Sequence, residues 1–235
     1  MPVLQRIPFA RAGTALDDAR ILVFDTQKYP LAETVSVASG VFDLARLHEA
    51  PEILAKGEGP SYQHNVHLRQ ELDTQLRTTR FPVIYASLIR DVVSPLFGGR
   101  LSYSKRPQMR VHLEGSPSAS VWHTDHQVIG RVDQVNAWLP LVDTWGTNTL
   151  WVESDYGAGD HQPIPVRYGE VLLFDGTWLE HGTMPNNSGR SRISIDFRFA
   201  PLTEGVLEKF FPTRAGHSSL SRTNIETPAA GLPRV

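Results

Sequence analysis

The chain of 235 residues contains no cysteine. That excludes disulfides, thiol nucleophiles and cysteine-ligated zinc, so any metal must be held by histidine and carboxylate. No apolar run approaches the length of a membrane span, and residues 1–13 carry Arg6 and Arg11 without the apolar stretch of a secretory leader. No membrane partner is expected, and a cytoplasmic location is the default expectation. Positive charge is not in excess either: 23 Lys+Arg stand against 25 Asp+Glu, for a net charge of -2. The electrostatic footprint of a nucleic-acid binder is missing, which leaves a small molecule as the expected partner and the oligomeric state open.

What the chain does contain changes character partway along. The first hundred residues read as mostly helical: 32–47 suits a helix, Leu68, Leu72 and Leu76 repeat at the helical interval, and 83–93 is an apolar helix ended by Pro95 and Gly98-Gly99. From Met109 onward short β-rich runs alternate with Gly, Pro, Asn and Asp, at 109–113, 134–142, 149–153, 166–174 and 192–199. The expected fold is mainly β with flanking helices, a double-sheet jelly roll buttressed on one face. One domain spanning 1–235 is expected. Residues 1–108 would form the helical buttress and entry region, 109–201 the jelly-roll core, and 202–235 a short helix at 203–211 with a polar tail, loose or a lid.

Within the β-rich part, His123-Thr124-Asp125 places a histidine and a carboxylate two residues apart, on one face if the segment is a strand. Taken alone this is weak evidence, since about one such pairing arises by chance in a chain of this composition. His112-Leu113-Glu114 is a second instance. What sets His123 and Asp125 apart is His181, followed by the breaker-rich Pro185-Asn186-Asn187-Ser188-Gly189 and a strand with Arg192, Ser194, Asp196 and Arg198 on one face. Read as a hairpin with an even loop, this stretch sets His181 opposite Arg192.

Two imidazoles and one carboxylate on a triangular face of an octahedral metal leave three adjacent positions open, the arrangement of non-haem Fe(II) oxygenases. A 2-oxo acid can chelate there and O2 can follow. The far carboxylate of that acid would be gripped by the Arg192 guanidinium, with the Ser194 hydroxyl adding a bond. Asp175 is a candidate to orient the His181 imidazole.

These residues resemble the Fe(II)/2-oxoglutarate-dependent dioxygenases, whose pattern is HxD, a distant His, and Arg-x-Ser about ten residues beyond it. The segment is most similar to the phytanoyl-CoA-hydroxylase-like group and, within it, to StrG-type proteins associated with streptomycin biosynthesis. That likeness rests on His123 to Gln127, Asn136-Ala137-Trp138-Leu139-Pro140-Leu141, Gly146-Thr147-Asn148-Thr149-Leu150-Trp151, Gly169-Glu170-Val171 and Phe174-Asp175-Gly176. The resemblance implies a jelly-roll core, His123, Asp125 and His181 as metal ligands, and Fe(II), 2-oxoglutarate and O2 as reactants. It implies oxidation of an unactivated carbon, with succinate and carbon dioxide released. Asp125 stands where the related halogenases have Ala or Gly, which favours hydroxylation of a small polar metabolite, of amino acid or aminocyclitol type, over halogenation.

Asn136 and Thr149 are candidate donors to the cosubstrate, against ordinary strand or turn roles. Arg110, His112, Gln127, Trp138 and Trp145 are candidate substrate-facing residues; for each of the five tryptophans the plain alternative is core packing. Arg190 replaces Arg192 only if the register shifts, and His64 and His67 are expected on the surface. Two other classes use the same residues: a cupin-like isomerase or hydrolase with zinc or manganese, and a jelly-roll binding module without catalysis.

Overall fold

The computed structural model describes residues 3–50 and 60–214; the polar tail lies outside the described residues. The β-rich part forms two antiparallel sheets. Its strands are β4 (Gln108–His112), β5 (Val135–Pro140), β6 (Leu150–Val152), β7 (Gln162–Ile164), β8 (Glu170–Phe174), β9 (His181–Gly182) and β10 (Arg192–Pro201). In the large sheet β10 lies between β5 and β4, and β5 pairs with β8. The small sheet runs β7-β6-β9, and His123 extends it by pairing with His181. Followed along the chain from β4, two strands lie in the large sheet, two in the small one, and then β8, β9 and β10 alternate between the sheets; His123 joins the small sheet between β4 and β5. This winding is the jelly roll expected from the sequence. The sheets face each other without closing into a barrel.

Strand alternation divides the large sheet cleanly. Met109, Val111, Val135, Ala137, Leu139, Val171, Leu173, Ile193, Ile195, Phe197 and Phe199 all belong to one apolar cluster with the helices. Those helices are α1 (Leu31–Ser39), α2 (Tyr62–Leu76) and α3 (Phe81–Leu88). Each of these side chains larger than alanine contributes about 1.5–3 kcal/mol relative to exposure, so this face locks the register that aims the opposite face. The opposite face carries Arg110, His112, Asn136, Trp138, Arg192, Ser194, Asp196 and Arg198, turned toward the small sheet. A second cluster, with Trp138, Leu172 and Phe174 from one sheet and Leu150, Val152 and Ile164 from the other, fills the remaining space between them.

The lead-in is less helical than expected. Strands β1 (Val3–Arg6) and β2 (Arg20–Val23) pair with each other, and β2 adds to β8, widening the large sheet. A third, β3 (Leu101–Tyr103), pairs with the end of β10. These runs are three or four residues long, too short to show a period. The helix expected over 32–47 stops at Ser39, where Gly40 takes the left-handed conformation (φ 68°), and a 3-10 turn follows at Leu44–Glu49. The helix expected over 83–93 is α3 continued by a π turn and a 3-10 turn to Phe97. The C-terminal helix is shorter than 203–211, at Val206–Phe210. Among the described residues no helix is long and apolar enough to cross a membrane.

Candidate metal centre

His123 and His181 are brought together by backbone pairing: each N–H donates to the other's carbonyl, at 3.1 and 3.0 Å. Residues directly opposite in an antiparallel pair share a face, and the two rings lie 4.5 Å apart between centroids. In both rings Nδ1 lies against the carbonyl two residues earlier, Val121 at 2.8 Å and Leu179 at 2.9 Å. A carbonyl only accepts, so Nδ1 is the protonated nitrogen and Nε2 keeps its lone pair free for a metal. Asp175, the residue expected to orient His181, instead accepts from the Tyr156 hydroxyl at 2.9 Å and pairs with Arg214 at 3.2 Å.

Asp125 reaches the same point differently from the two-apart strand expected of it. It is the first residue of α4 (Asp125–Ile129), for which Thr124 is the N-cap. Its N–H donates to Gly176 O at 2.9 Å and the next N–H to Thr177 O at 3.1 Å, so the turn after β8 holds the helix start. One ligand atom from each of His123, Asp125 and His181 lies within 4.8 Å of the other two. Burial, then repulsion from His123, lowers the His181 pKa to about 4, keeping the imidazole neutral at pH 7. Burial also works to raise the Asp125 pKa, but hydrogen bonding from Arg198 and the nearby positive charge outweigh it and hold the carboxyl below its ordinary range. A neutral His181 imidazole and an ionised Asp125 carboxylate, with His123 Nε2 beside them, suit a divalent metal.

The recess in front of these residues is lined by His123, Asn136, Trp138, His181, Arg192 and Arg198, with Arg110 and Asp196 beside them. Arg192 is only 1% exposed. Its Nη1 donates to the carbonyls of Asn148 at 2.8 Å and Thr149 at 3.3 Å, its Nε has no partner, and its guanidinium lies 5.6 Å from the Trp138 ring. Burial, then repulsion from Arg110, lowers its pKa to about 9, still protonated at neutral pH. Among the described residues no carboxylate pairs with it, and the neighbouring Ser194 hydroxyl is buried without a partner. His181 and Arg192 do not form the expected hairpin. The breaker-rich turn carries the chain from the small sheet to the large one, so they face the recess from opposite sheets.

The other candidates divide. Asn136 donates to Asp125 Oδ2 at 2.6 Å. Arg110 pairs with Asp196 at 2.9 Å. His112, fully buried opposite Arg192 in the strand register, hydrogen-bonds the Pro117 carbonyl at 3.1 Å. Thr149 spends its hydroxyl on Thr144 and the Ile164 carbonyl, and Gln127 closes the α4 capping box with Thr124. Trp145 stands outside the recess, 41% exposed, with Arg190 5.6 Å from its ring. Of the five tryptophans only Trp138 is buried; Trp151 donates its Nε1–H to the Gly146 carbonyl at 3.1 Å. Trp122 lies across Gly182, where a Cβ would come within 2.6 Å of its ring, and stacks on His161. His64 caps α2 with Ser61, and His67 pairs with Glu71 at 2.9 Å. The residue that sequence reasoning missed is Arg198, whose Nε donates to Asp125 Oδ2 and whose Nη2 donates to Oδ1 at 2.6 Å. Its period-two relation to Arg192 was the available signal.

A jelly roll with two histidines and an aspartate converging between its sheets defines a cupin-like protein with a candidate facial metal-ligand set. The chain is 31% identical over 183 residues to the streptomycin biosynthesis protein StrG of Streptomyces griseus, covering 77% of this chain and 83% of that protein. It belongs to the StrG family. No family model matches the sequence. Among solved structures, it is similar to the non-heme monooxygenase ThoJ in its nickel complex (TM-score 0.45, 12% identity, 86% of this chain and 94% of that one). It is also similar to HygX from Streptomyces hygroscopicus with nickel, 2-oxoglutarate and hygromycin B bound (TM-score 0.37, 16% identity, 52% and 67%). At these scores the likeness assigns no chemistry to this chain.

Proposed function

We propose that this protein is an Fe(II)/2-oxoglutarate-dependent dioxygenase that hydroxylates a small polar metabolite, of amino acid or aminocyclitol type, in natural-product biosynthesis. The observation that carries the reading is Arg192: a guanidinium buried without a carboxylate, facing the same recess as three converging metal ligands. Leaving a buried charge without a counter-ion costs several kcal/mol, and a site that meets an anion in use has a reason to keep one. A dicarboxylate that chelates the metal at one end presents such an anion at the other. Zinc hydrolysis or isomerisation has no use for that second grip.

His123 and His181 would bind the metal through Nε2, and Asp125 through a carboxylate oxygen. Arg192, with the Ser194 hydroxyl, would hold the far carboxylate of 2-oxoglutarate. The bound metal supplies oxygen activation coupled to decarboxylation of 2-oxoglutarate to succinate. Trp138 walls the recess behind Arg192 and excludes water from that end. The family relationship to a streptomycin biosynthesis protein supports the natural-product setting.

The test is succinate formation from 2-oxoglutarate with Fe(II) and O2, followed across a panel of amino acids and aminocyclitols. His123→Ala, Asp125→Ala and His181→Ala are each expected to abolish it. Full turnover in any of the three, or failure of the metal-loaded protein to bind 2-oxoglutarate by calorimetry, would sink the assignment.

A further inference from the structure

The Asp125 carboxylate is 2% exposed, so its hydrogen bonds come from the protein. An ionised carboxylate has about four acceptor positions, two on each oxygen. On Oδ2 both are taken, by Asn136 Nδ2 at 2.6 Å and by Arg198 Nε. Oδ1 accepts once, from Arg198 Nη2 at 2.6 Å. The position left over belongs to Oδ1, the oxygen that stands 3.6 Å from His123 Nε2.

The two donors are themselves fixed. Arg198 and Asn136 are direct partners in the β10–β5 register, so neighbouring strands aim both side chains at one carboxylate. Gly176 backs the amide: a Cβ there would lie 2.6 Å from Asn136 Cγ. The same glycine's carbonyl accepts from the Asp125 backbone, so backbone and side chain of Asp125 are set by one small cluster.

We propose that Arg198 and Asn136 are positioning residues that make Asp125 a one-oxygen ligand, presenting Oδ1 to the metal and withholding Oδ2. The consequence is a count of coordination positions. Two imidazoles and one oxygen leave three of six; a chelating 2-oxo acid takes two, and one remains for O2. A carboxylate bound through both oxygens would leave two, which 2-oxoglutarate fills. The pair thus protects the oxygen position. This inference rests on the proposed iron and 2-oxoglutarate reading, and the experiment separates the two.

Wild type, Arg198→Gln, Arg198→Lys and Asn136→Ala would be loaded anaerobically with Fe(II) and then 2-oxoglutarate. Metal binding is followed by calorimetry, chelation by the visible charge-transfer absorption, and the remaining position by the EPR signal of the nitric oxide adduct, with nitric oxide standing in for O2. Wild type is expected to show all three. Arg198→Gln and Asn136→Ala are expected to keep Fe(II) and the 2-oxoglutarate absorption while the nitric oxide signal falls about tenfold or more, the scale on which residues behind metal ligands act. Arg198→Lys, which can fill one oxygen but not both, should fall between. If Arg198→Gln does not fold, Asn136→Ala carries the test, because it removes a single bond. A nitric oxide signal equal to wild type in the folded variants overturns the proposal. Loss of Fe(II) from variants with a native near-ultraviolet spectrum does so as well, because the pair would then set affinity rather than denticity. A wild-type protein without Fe(II) binding or without the absorption refutes the functional reading itself, and this inference with it.

Discussion

Replacing Arg192 by methionine should make the ligand-free protein more stable while removing its response to cosubstrate. Burial pulls the guanidinium several pH units below its ordinary range, to about 9. At about 1.4 kcal/mol per pH unit, the folded state disfavours the charged form by roughly 5 kcal/mol. The folded pKa of this base is depressed, so the burden is fully present below pH 9 and is relieved only as pH rises from there toward the ordinary arginine range. Methionine fills much of the same volume without the charge. It also leaves the Asn148 and Thr149 carbonyls without the donor they now share, a loss of about 1–3 kcal/mol for a buried acceptor. The balance is a gain on the order of 1 kcal/mol, a rise in Tm of about 2–4 °C for a chain of this size. With metal present throughout, adding 2-oxoglutarate at about a hundred times Kd should stabilise wild type by about 2.7 kcal/mol and the variant by far less. The order of the two melting temperatures therefore reverses on addition of ligand, which thermal melts in Mn(II) with and without 2-oxoglutarate would record. A variant destabilised by several kcal/mol that still shifts with 2-oxoglutarate would refute the reasoning.

Acid should weaken the fold through His112. Burial, then the charge of Arg192, lowers its pKa to about 3, so it stays neutral in the folded protein while the unfolded chain takes up a proton below about pH 6.5. Its contribution is fully present above 6.5 and declines as pH falls toward 3; urea unfolding between pH 7.5 and 4.5 should show His112→Asn with the shallower decline. An unchanged slope would mean that other groups govern acid sensitivity. Gly176→Ala forces Asn136 aside and should cost about 1–3 kcal/mol, with Fe(II) binding kept in calorimetry and the nitric oxide signal falling as in Asn136→Ala. A stability loss with an unaltered nitric oxide signal would separate the glycine from the amide it backs.

The parts of the site legible in the sequence were those whose side chains do one thing. His123, Asp125 and His181 are scarce residue types in a telling order, and the period-two run from Arg192 to Arg198 gave the correct inward face of β10. What misled was local geometry. Asp125 joins His123 through a helix start rather than along a strand, because Thr124 and Gln127 cap that helix. His181 and Arg192 converge across two sheets, because the turn between them changes layer. Arg198 was hidden for a different reason: its partner lies 73 residues away in the chain, and an arginine on an inward face does not announce which carboxylate it meets. Gln127, Thr149 and Trp145 illustrate the converse, since polar or aromatic residues near a motif are spent on a cap, a strand junction and an exposed stack. In the lead-in, β1 and β2 were missed because four residues carry no period. The family match covers 183 residues, more than twice the span from Trp122 to Pro201 on which the resemblance was read.

The central place of β10 in the large sheet also sets an order of assembly. β4 and β5 lack a common neighbour until β10 arrives between them, and contacts of such long sequence separation form slowly. During synthesis the histidines and Asp125 emerge first, yet the large sheet that frames them is completed only once β10 is in place. A fixed arrangement of the three ligands is therefore a product of late folding. A chain interrupted before β10 would expose the ligands without the frame that holds them, so stable metal retention would report that the large sheet had been completed.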